Sequence, residues 1–331
     1  MIKKLLTISL LGIIMLSSAC KKSNDDSPTE WVRGSDFEGS PRNGATSFML
    51  DNKLYITGGF DGEKRLTDLW VYDAAQTNWF KVNADFPGTA RSNAVSFVVN
   101  GKAYVGSGWD GTNSLSDFYE FNPATKSWRK IADLTGDARY GAVAFSGSGK
   151  GFVGTGTKST TSGDLKDFFS YDPTVDKWTQ VKSLPGSKRA YAFTFTLGET
   201  VYVGSGSNNS SFLSDFWSYD TKTDNWTQKN ELNRDAKNES NKKYFYNISR
   251  ASASTFTIGQ KAYLVGGNVG GITGSTWAYD PTIDLWEQHQ DLGAIAREEA
   301  IGFGIGGKGY ITTGRNNGNR FDDLLIFTPN K

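Results

Sequence analysis

A motif that recurs six times constrains this chain more than any other feature of its sequence. Each copy opens with an arginine, and the intervals between successive arginines are 49, 48, 50, 61 and 47 residues. The six arginines are Arg42, Arg91, Arg139, Arg189, Arg250 and Arg297. A unit of this length cannot bury its own apolar face, so neighbouring units must pack against each other. The sequence therefore predicts a repeat architecture.

Each copy has the composition of short β-strands joined by tight turns. Its third predicted strand ends in an aromatic residue, and in the first five copies a tryptophan follows seven residues later. These residues are Tyr72 and Trp79, Phe121 and Trp128, Tyr171 and Trp178, Tyr219 and Trp226, and Tyr279 and Trp286. With 38 glycines against 8 prolines and many β-branched and aromatic residues, the composition favours an all-β fold with many turns.

The sixth copy lacks the tryptophan that follows the aromatic residue in the other five. Its aromatic residue is Phe327, and no tryptophan comes after it. Trp31, however, lies 11 residues before Arg42, the same distance that separates Trp128 from Arg139. We therefore predict that Trp31 belongs to the sixth unit and closes a ring of sheets. A closed ring removes the sheet edges that a linear array would expose.

The glycine motif of each copy links the repeat to a known family. Copies one and five contain Gly58-Gly59 and Gly266-Gly267, and with the opening arginines and the aromatic-to-tryptophan spacing they resemble the Kelch repeat. The resemblance covers residues 31–331, and the chain is in this respect similar to the central domain of galactose oxidase, which also contains Kelch motifs. It implies an all-β, six-bladed β-propeller with four-stranded antiparallel blades, the N-terminal strand completing the last blade. The other copies read Gly106-Ser107-Gly108, Gly154-Thr155-Gly156, Gly204-Ser205-Gly206 and Thr312-Thr313-Gly314.

The amino-terminal segment differs in kind from the repeats. Two lysines and a short apolar run lead to Ser17-Ser18-Ala19-Cys20, so residues 1–19 are predicted to be a signal peptide. The segment resembles a bacterial lipoprotein signal, of the type found in Bacteroidetes. That resemblance implies that Cys20 is lipidated and that the protein is anchored in the cell envelope, at the outer membrane. A secreted protein with a free Cys20 is the alternative, and residues 20–30 are predicted to form a flexible tether.

Residue counts exclude several classes of function. Removal of the signal peptide takes away Lys3 and Lys4 and leaves 34 basic residues against 35 acidic ones, so nothing favours binding to nucleic acid. Cys20 is the only cysteine and His289 the only histidine, which argues against disulfides, a zinc or copper centre and a histidine-dependent nucleophile. We expect no metal, no cofactor and a monomer, with His289 at the surface.

The variable loops are predicted to share one face of the propeller. They follow the glycine motifs and span residues 60–67, 109–116, 157–166, 207–214, 268–275 and 315–322. Phe60, Trp109 and Arg315 are the candidate ligand-binding residues in these loops. An insertion within residues 228–249 adds Tyr244 on the same face, and it is either a flap over the channel or a surface loop.

The repeated arginines have two possible roles. They could ring the channel mouth as an anion site, or each could pair with the acid that begins the third strand of its own copy. We favour structural pairs of Arg42 with Asp68, Arg91 with Asp117, Arg139 with Asp167, Arg189 with Asp215, and Arg297 with Asp323. Copy five has Ser275 in place of the acid, so Arg250 is the arginine predicted to be free for a ligand.

These features favour a binding module that presents its loop-rich face to a protein or a glycan. The competing class is a carbohydrate-modifying enzyme, because bacterial sialic-acid mutarotases are also Kelch propellers. In that case an arginine would bind the sugar carboxylate, and Glu298 or Glu299 would transfer a proton. Both acids lie next to Arg297, and these three residues complete the set of candidate ligand-binding positions.

Overall fold

The computed structural model describes residues 30–159, 163–234 and 245–330. Six four-stranded antiparallel sheets form the blades of a propeller, with the first strand of each repeat innermost. Blades one and two contain β2 (Thr46–Leu50), β3 (Lys53–Thr57), β4 (Leu69–Asp73) and β5 (Asn78–Val82), then β6 (Val95–Val99), β7 (Lys102–Gly106), β8 (Phe118–Asn122) and β9 (Ser127–Ile131). Blades three and four contain β10 (Val143–Gly147), β11 (Lys150–Gly154), β12 (Phe168–Asp172) and β13 (Lys177–Val181), then β14 (Phe193–Leu197), β15 (Thr200–Gly204), β18 (Phe216–Asp220) and β19 (Asn225–Gln228).

The last two blades follow the same plan. They contain β22 (Ser254–Ile258), β23 (Lys261–Val265), β24 (Thr276–Asp280) and β25 (Leu285–His289), then β26 (Ile301–Ile305), β27 (Lys308–Thr312), β30 (Leu324–Phe327) and β1 (Trp31–Arg33). Three short hairpins lie outside the blades: β16 (Ser207–Asn208) with β17 (Ser211–Phe212), β20 (Asn233–Arg234) with β21 (Tyr246–Asn247), and β28 (Arg315–Asn316) with β29 (Asn319–Arg320). A 3-10 turn covers Gly293–Ile295. The predicted six-bladed propeller is confirmed.

The ring is closed by the strand that contains Trp31. β1 pairs with β30 and places Trp31 opposite Phe327, as β5 places Trp79 opposite Tyr72. The indole N–H of Trp31 donates to the carbonyl of Gln290 at 2.9 Å, just as other blades bond their tryptophan to the preceding blade. Trp31 is therefore the missing tryptophan of the sixth unit, as the spacing predicted.

Glu30 stabilises this closure of the ring. Its position and that of its partner His289 correct two expectations drawn from the sequence. Its side chain is buried, and its carboxylate accepts hydrogen bonds from the amides of Gln290 and Asn330 at 2.8 and 2.9 Å. His289 Nδ1 lies 2.9 Å from the same carboxylate, and only 17% of the His289 side chain is exposed. Glu30 thus belongs to the propeller and not to the tether, and His289 is a half-buried partner of Glu30 and not a free surface residue.

The contribution of Glu30 to the stability of the protein should depend on pH. Burial raises the pKa of Glu30, but hydrogen bonds from Asn330, Gln290 and His289 lower it by more, so the pKa lies below its ordinary value. The stabilisation is therefore complete near neutral pH and is lost as the pH falls through that lowered pKa. We expect Glu30→Gln to lower Tm by roughly 5 °C at pH 7. Melts recorded at pH 7 and pH 3 should show the difference from wild type shrinking in acid; a pH-independent difference would contradict this account.

Aromatic stacks join each blade to its neighbour. In every blade an aromatic residue of the innermost strand stacks on one of the second strand, as Phe97 does on Tyr104 at 5.0 Å with 14° between the planes. The pair then meets an aromatic residue of the next blade, with Tyr171 lying 6.1 Å from Phe97 and 5.4 Å from Tyr104. The hydrophobic core is therefore a circle of inter-blade contacts and has no single centre.

The second position of each glycine motif requires glycine because of its backbone conformation. Gly59 has φ +91°, and a Cβ built there would meet the carbonyl oxygen of Asn43 at 3.0 Å. The corresponding glycines of the other five copies have φ between +83° and +102°, a region that L-residues rarely adopt. The position before it has φ +53° to +70°, which Ser and Thr adopt in copies two, three, four and six. This explains why the first glycine varies and the second does not.

A ring of six backbone hydrogen bonds surrounds the axis on the loop-rich face. The residue two positions after each opening arginine donates its amide to the carbonyl of its counterpart in a neighbouring blade, at 2.7–3.1 Å. These residues are Gly44, Asn93, Gly141, Tyr191, Ser252 and Glu299, and all six have positive φ. The ring fixes which side chains stand at the channel mouth.

Candidate functional site

The opening arginines are held in one repeated geometry. In blade one, Arg42 Nε donates to the carbonyl of Ser40 at 2.9 Å and Nη1 donates to that of Gly58 at 3.0 Å. All six arginines are buried, and each makes the same two backbone contacts. None of them lines the two cavities found along the axis. The arginines therefore do not form the anion-binding ring that was the alternative reading of the sequence.

All five predicted arginine–aspartate pairs form. The shortest N–O distances are 2.6 Å for Arg42 with Asp68, 2.7 Å for Arg91 with Asp117, 2.8 Å for Arg139 with Asp167, 2.5 Å for Arg189 with Asp215 and 2.6 Å for Arg297 with Asp323. In the last pair Nη1 and Nη2 of Arg297 bond to the two carboxylate oxygens, and its Nε bonds to the carbonyl of Ile295. Arg297 has no nitrogen left over, which corrects its selection as a ligand-binding candidate.

Arg250 differs from the other five in one respect. Its Nε and Nη1 bond to the carbonyls of Ile248 and Gly266 at 2.9 and 2.8 Å, so the guanidinium stands where its counterparts stand. Ion pairs within 4.0 Å join the other five arginines to a carboxylate, and none joins Arg250 to a described residue. Burial lowers the pKa of Arg250 to about 10, although Asp291 opposes the shift, so the group is still charged at neutral pH.

Trp277 has lost the same acceptor, which the sequence analysis missed. In blades one and four the tryptophan two residues after the aspartate donates its indole N–H to that carboxylate, Trp70 to Asp68 and Trp217 to Asp215, both at 2.7 Å. Trp277 stands at the same position in blade five, and its Nε1 is buried without a hydrogen-bond partner. The Asp-x-Trp pattern in two other copies, set beside Ser275-Thr276-Trp277, was the signal that could have revealed it.

Arg250 and Trp277 line a pocket between blades four and five on the loop-rich face. Its volume is about 710 Å³. The lining residues are mostly small and polar, with two aromatic side chains, and comprise Ser210, Ser211, Phe212, Ser214, Asn233, Asn247, Ser249, Arg250, Val269, Thr273, Ser275 and Trp277. A cavity of this size, with aromatic walls and one fixed cation, is suited to a polar small molecule.

Two hairpins build the rim of this pocket. β16 and β17 carry Phe212 in the blade-four loop, and β20 and β21 pair Asn233 with Asn247 at the base of the long insertion. The amide of Leu232 donates to the carbonyl of Ser214 at 2.8 Å, which fixes that base against the blade-four loop. The base of the insertion is thus a wall of the pocket, whereas residues 235–244, including the candidate Tyr244, lie outside the described residues.

A second cluster of candidates meets at the axis. Arg315 Nη2 lies 3.0 Å from Glu298 Oε1, and its Nε lies 3.6 Å from Glu299 Oε2. Glu299 also accepts a hydrogen bond from Asn43 Nδ2 at 2.5 Å. Burial raises the pKa of Glu299; Arg315 and Asn43 act in the opposite direction without cancelling the rise. Glu299 and Tyr191 line a small axial cavity of about 190 Å³.

The remaining aromatic candidates surround the axis. Phe60 lies between two guanidinium groups, with Arg65 at 5.2 Å and Arg320 at 4.8 Å from its ring centre. Trp109 packs on Tyr140 at 5.1 Å. Neither residue contributes to the pocket at Arg250. Cys20 lies outside the described residues.

Two further kinds of feature are absent from the described part of the chain. Within residues 30–159, 163–234 and 245–330, no group of three or more His, Cys, Asp and Glu side chains is arranged to hold a metal ion. In that same part of the chain, no helix has the length and hydropathy needed to cross a membrane.

The blade geometry and the repeated arginine–aspartate pairs define a class of repeat propeller, and comparison with known proteins gives its family. A model described as the KLHDC2/KLHL20/DRC7 Kelch-repeats domain matches residues 28–147, and the Kelch-motif model matches residues 188–233. The chain therefore contains Kelch repeats, and its sheets have a six-bladed β-propeller arrangement. Among solved structures, one described as the structure of YjhT aligns with a TM-score of 0.74 and 17% identity, over 90% of this chain and 97% of that one. At that identity it is similar in fold alone. No curated protein matched the chain.

Proposed function

We propose that this Kelch propeller is a binding module that takes a saccharide into the pocket between blades four and five. The observation that supports the proposal is a concave, mostly polar cavity of about 710 Å³ that contains a buried, prepositioned cation. Small-ligand sites commonly have volumes of roughly 300–1,000 Å³ with a few fixed polar groups and aromatic walls. Phe212 and Trp277 provide the walls, and the serine and asparagine side chains provide donors and acceptors for hydroxyl groups.

Kelch propellers commonly mediate protein interactions, so a protein ligand is the other form of this proposal. The shape of the pocket favours the saccharide, because protein interfaces are broad and only about as polar as the rest of the surface. In this proposal the lipid on Cys20 holds the propeller at the outer membrane.

The test uses the mature chain on a glycan array, followed by Kd measurements on each saccharide that is retained. Phe212→Ala and Asn247→Ala remove one wall and one rim amide, and each should weaken binding by roughly tenfold, equivalent to about 1.4 kcal/mol. Phe80→Ala is the matched control, because Phe80 is 39% exposed on an outer strand of blade one. Retention of no saccharide, or equal affinity in all three variants, would contradict the proposal.

The axial cluster supports a second candidate function, a mutarotase-like activity on an acidic sugar. The supporting observation is Glu299, a buried acid with a raised pKa beside Arg315, since an acid with a raised pKa is suited to proton transfer near neutral pH. The array samples can be assayed for mutarotation of sialic acid at the same time. Turnover that disappears in Glu299→Gln but survives in Phe212→Ala would favour the enzyme; absence of turnover in wild type would favour the binding module.

A further inference from the structure

Five blades show how the propeller binds a carboxylate. In each of them the arginine holds the aspartate that precedes the third strand, and in blades one and four a tryptophan indole N–H donates to the same carboxylate. The carboxylate is not sealed off, because the aspartate side chains of blades one to four are 20–25% exposed. In these four blades the carboxylate position can therefore be reached from outside.

Blade five has the arginine and the tryptophan that donate to this carboxylate in other blades, but it has a serine in place of the aspartate. Arg250 is fixed by the same two backbone carbonyls as its counterparts, and its Nη2 has no hydrogen-bond partner among the described residues. Trp277 Nε1 is likewise buried without a partner. No hydrogen bond joins the Ser275 hydroxyl to Arg250 or Trp277: the hydroxyl accepts from Thr273 Oγ1 at 3.2 Å, and Arg250 Nη1 reaches only the Ser275 carbonyl, at 3.5 Å. Asp291 acts on Arg250 through its charge without an ion pair within 4.0 Å, and its Oδ1 accepts a hydrogen bond from the amide of Thr276 at 3.3 Å.

We infer that the blade-five pocket binds the carboxylate group of an acidic saccharide at the position that an aspartate side chain occupies in the other five blades. The inference rests on the proposed saccharide site and specifies the class of its ligand. Arginine binds a carboxylate through two parallel hydrogen bonds, and the indole N–H is a donor only, so the unpartnered groups select an anion over a neutral sugar. A neutral saccharide would leave the buried guanidinium of Arg250 without a directly bonded carboxylate.

Sodium acetate and sodium glucuronate are the probes, with sodium chloride at equal ionic strength and glucose as controls. Both carboxylates should raise the Tm of the full chain in a saturable manner, and glucuronate should bind more tightly because its ring also contacts the pocket walls. In a ¹H–¹⁵N spectrum of the ten tryptophan indoles, the Trp277 signal, assigned with Trp277→Phe, should shift as the probe binds. A merely structural arginine would not produce this shift.

Ser275→Asp is the decisive variant, because it places a carboxylate where the other blades have one. Without any probe its Tm should rise by roughly 5 °C or more, since the buried guanidinium gains a counter-charge. Its affinity for glucuronate should fall by at least roughly tenfold, since the position is already filled. Ser275→Asn occupies the same volume without charge, so it should weaken glucuronate binding and leave Tm nearly unchanged.

Three results would overturn the inference. They are an acetate response equal to that of chloride, a Trp277 indole that does not shift, and a glucuronate affinity that Ser275→Asp leaves intact. The carboxylate position and the saccharide site can be disproved independently of each other. If Phe212→Ala abolishes binding of a neutral glycan while acetate and glucuronate have no effect, the saccharide site stands and the carboxylate does not.

Discussion

Deletion of residues 31–36 should lower Tm on the order of 10 °C. The deletion removes β1, which gives the sixth sheet its outermost strand. It also removes the Trp31 ring, which packs 4.9 Å from Phe327 and 6.3 Å from Phe256. Trp31 is only partly buried, so its loss costs less than the about 3–5 kcal/mol of a fully buried tryptophan. The backbone pairing of β1 with β30 is lost as well, and for a domain of this size each kcal/mol corresponds to roughly 2–4 °C.

The matched control for the deletion lies on the same strand. Val32 is 49% exposed, so Val32→Thr should leave Tm within about 1 °C of wild type. Thermal melts followed by circular dichroism would measure both variants. A deletion that melts with wild type would show that the sixth blade does not need its shared strand, and would refute the role assigned to Trp31.

The second large effect is expected from Asp323→Asn, which should reduce the free energy of unfolding by about 3–5 kcal/mol. The substitution leaves Arg297 charged and only 1% exposed, with one neutral amide in place of a carboxylate that is itself 10% exposed. Breaking a buried pair by removing one partner is far more costly than losing an exposed pair. Urea denaturation of the two proteins would measure the difference.

Asp36→Asn provides the control for charge removal as such. Asp36 pairs with Arg33, and the two side chains are 48% and 64% exposed. Its loss should change the free energy of unfolding by less than about 1 kcal/mol. If Asp323→Asn and Asp36→Asn proved equally mild, the repeated pairs would not be the stabilising contacts that their burial indicates.

Asp323→Asn would leave blade six with a buried arginine that has no carboxylate partner, and blade five already has such an arginine among the described residues. Arg250 is buried to the same degree as Arg297 and has no described carboxylate partner, so this blade keeps a buried charge that its five counterparts neutralise. Functional sites are often places where a local rule of stability is broken. A strained or unsatisfied position of this kind is consistent with a site that is completed by its ligand.

Much of this structure was predictable because its determinants are close together in the chain. The spacing of Arg42, Asp68 and Trp79 repeats within one blade, and the partners that form a pair lie 26 or 28 residues apart. Counting those intervals was enough to predict six blades, the five ion pairs, the isolated Arg250 and the displaced Trp31. The ion pairs are set by the strand order inside a single repeat, and the displaced Trp31 is found by comparing one repeat with the next.

The remaining features depend on contacts between blades, which no interval in the sequence reports. Glu30 meets His289 across 259 residues because the ring brings the two ends of the array together. Glu299 reaches Asn43 over 256 residues for the same reason, and the pocket forms because hairpins of blade four and the base of the insertion face the loop of blade five. The sequence by itself determined the blades, their number and their closure. Only the tertiary structure decided which side chains share the axis, which seal the ring, and that Arg250 and Trp277 line one pocket.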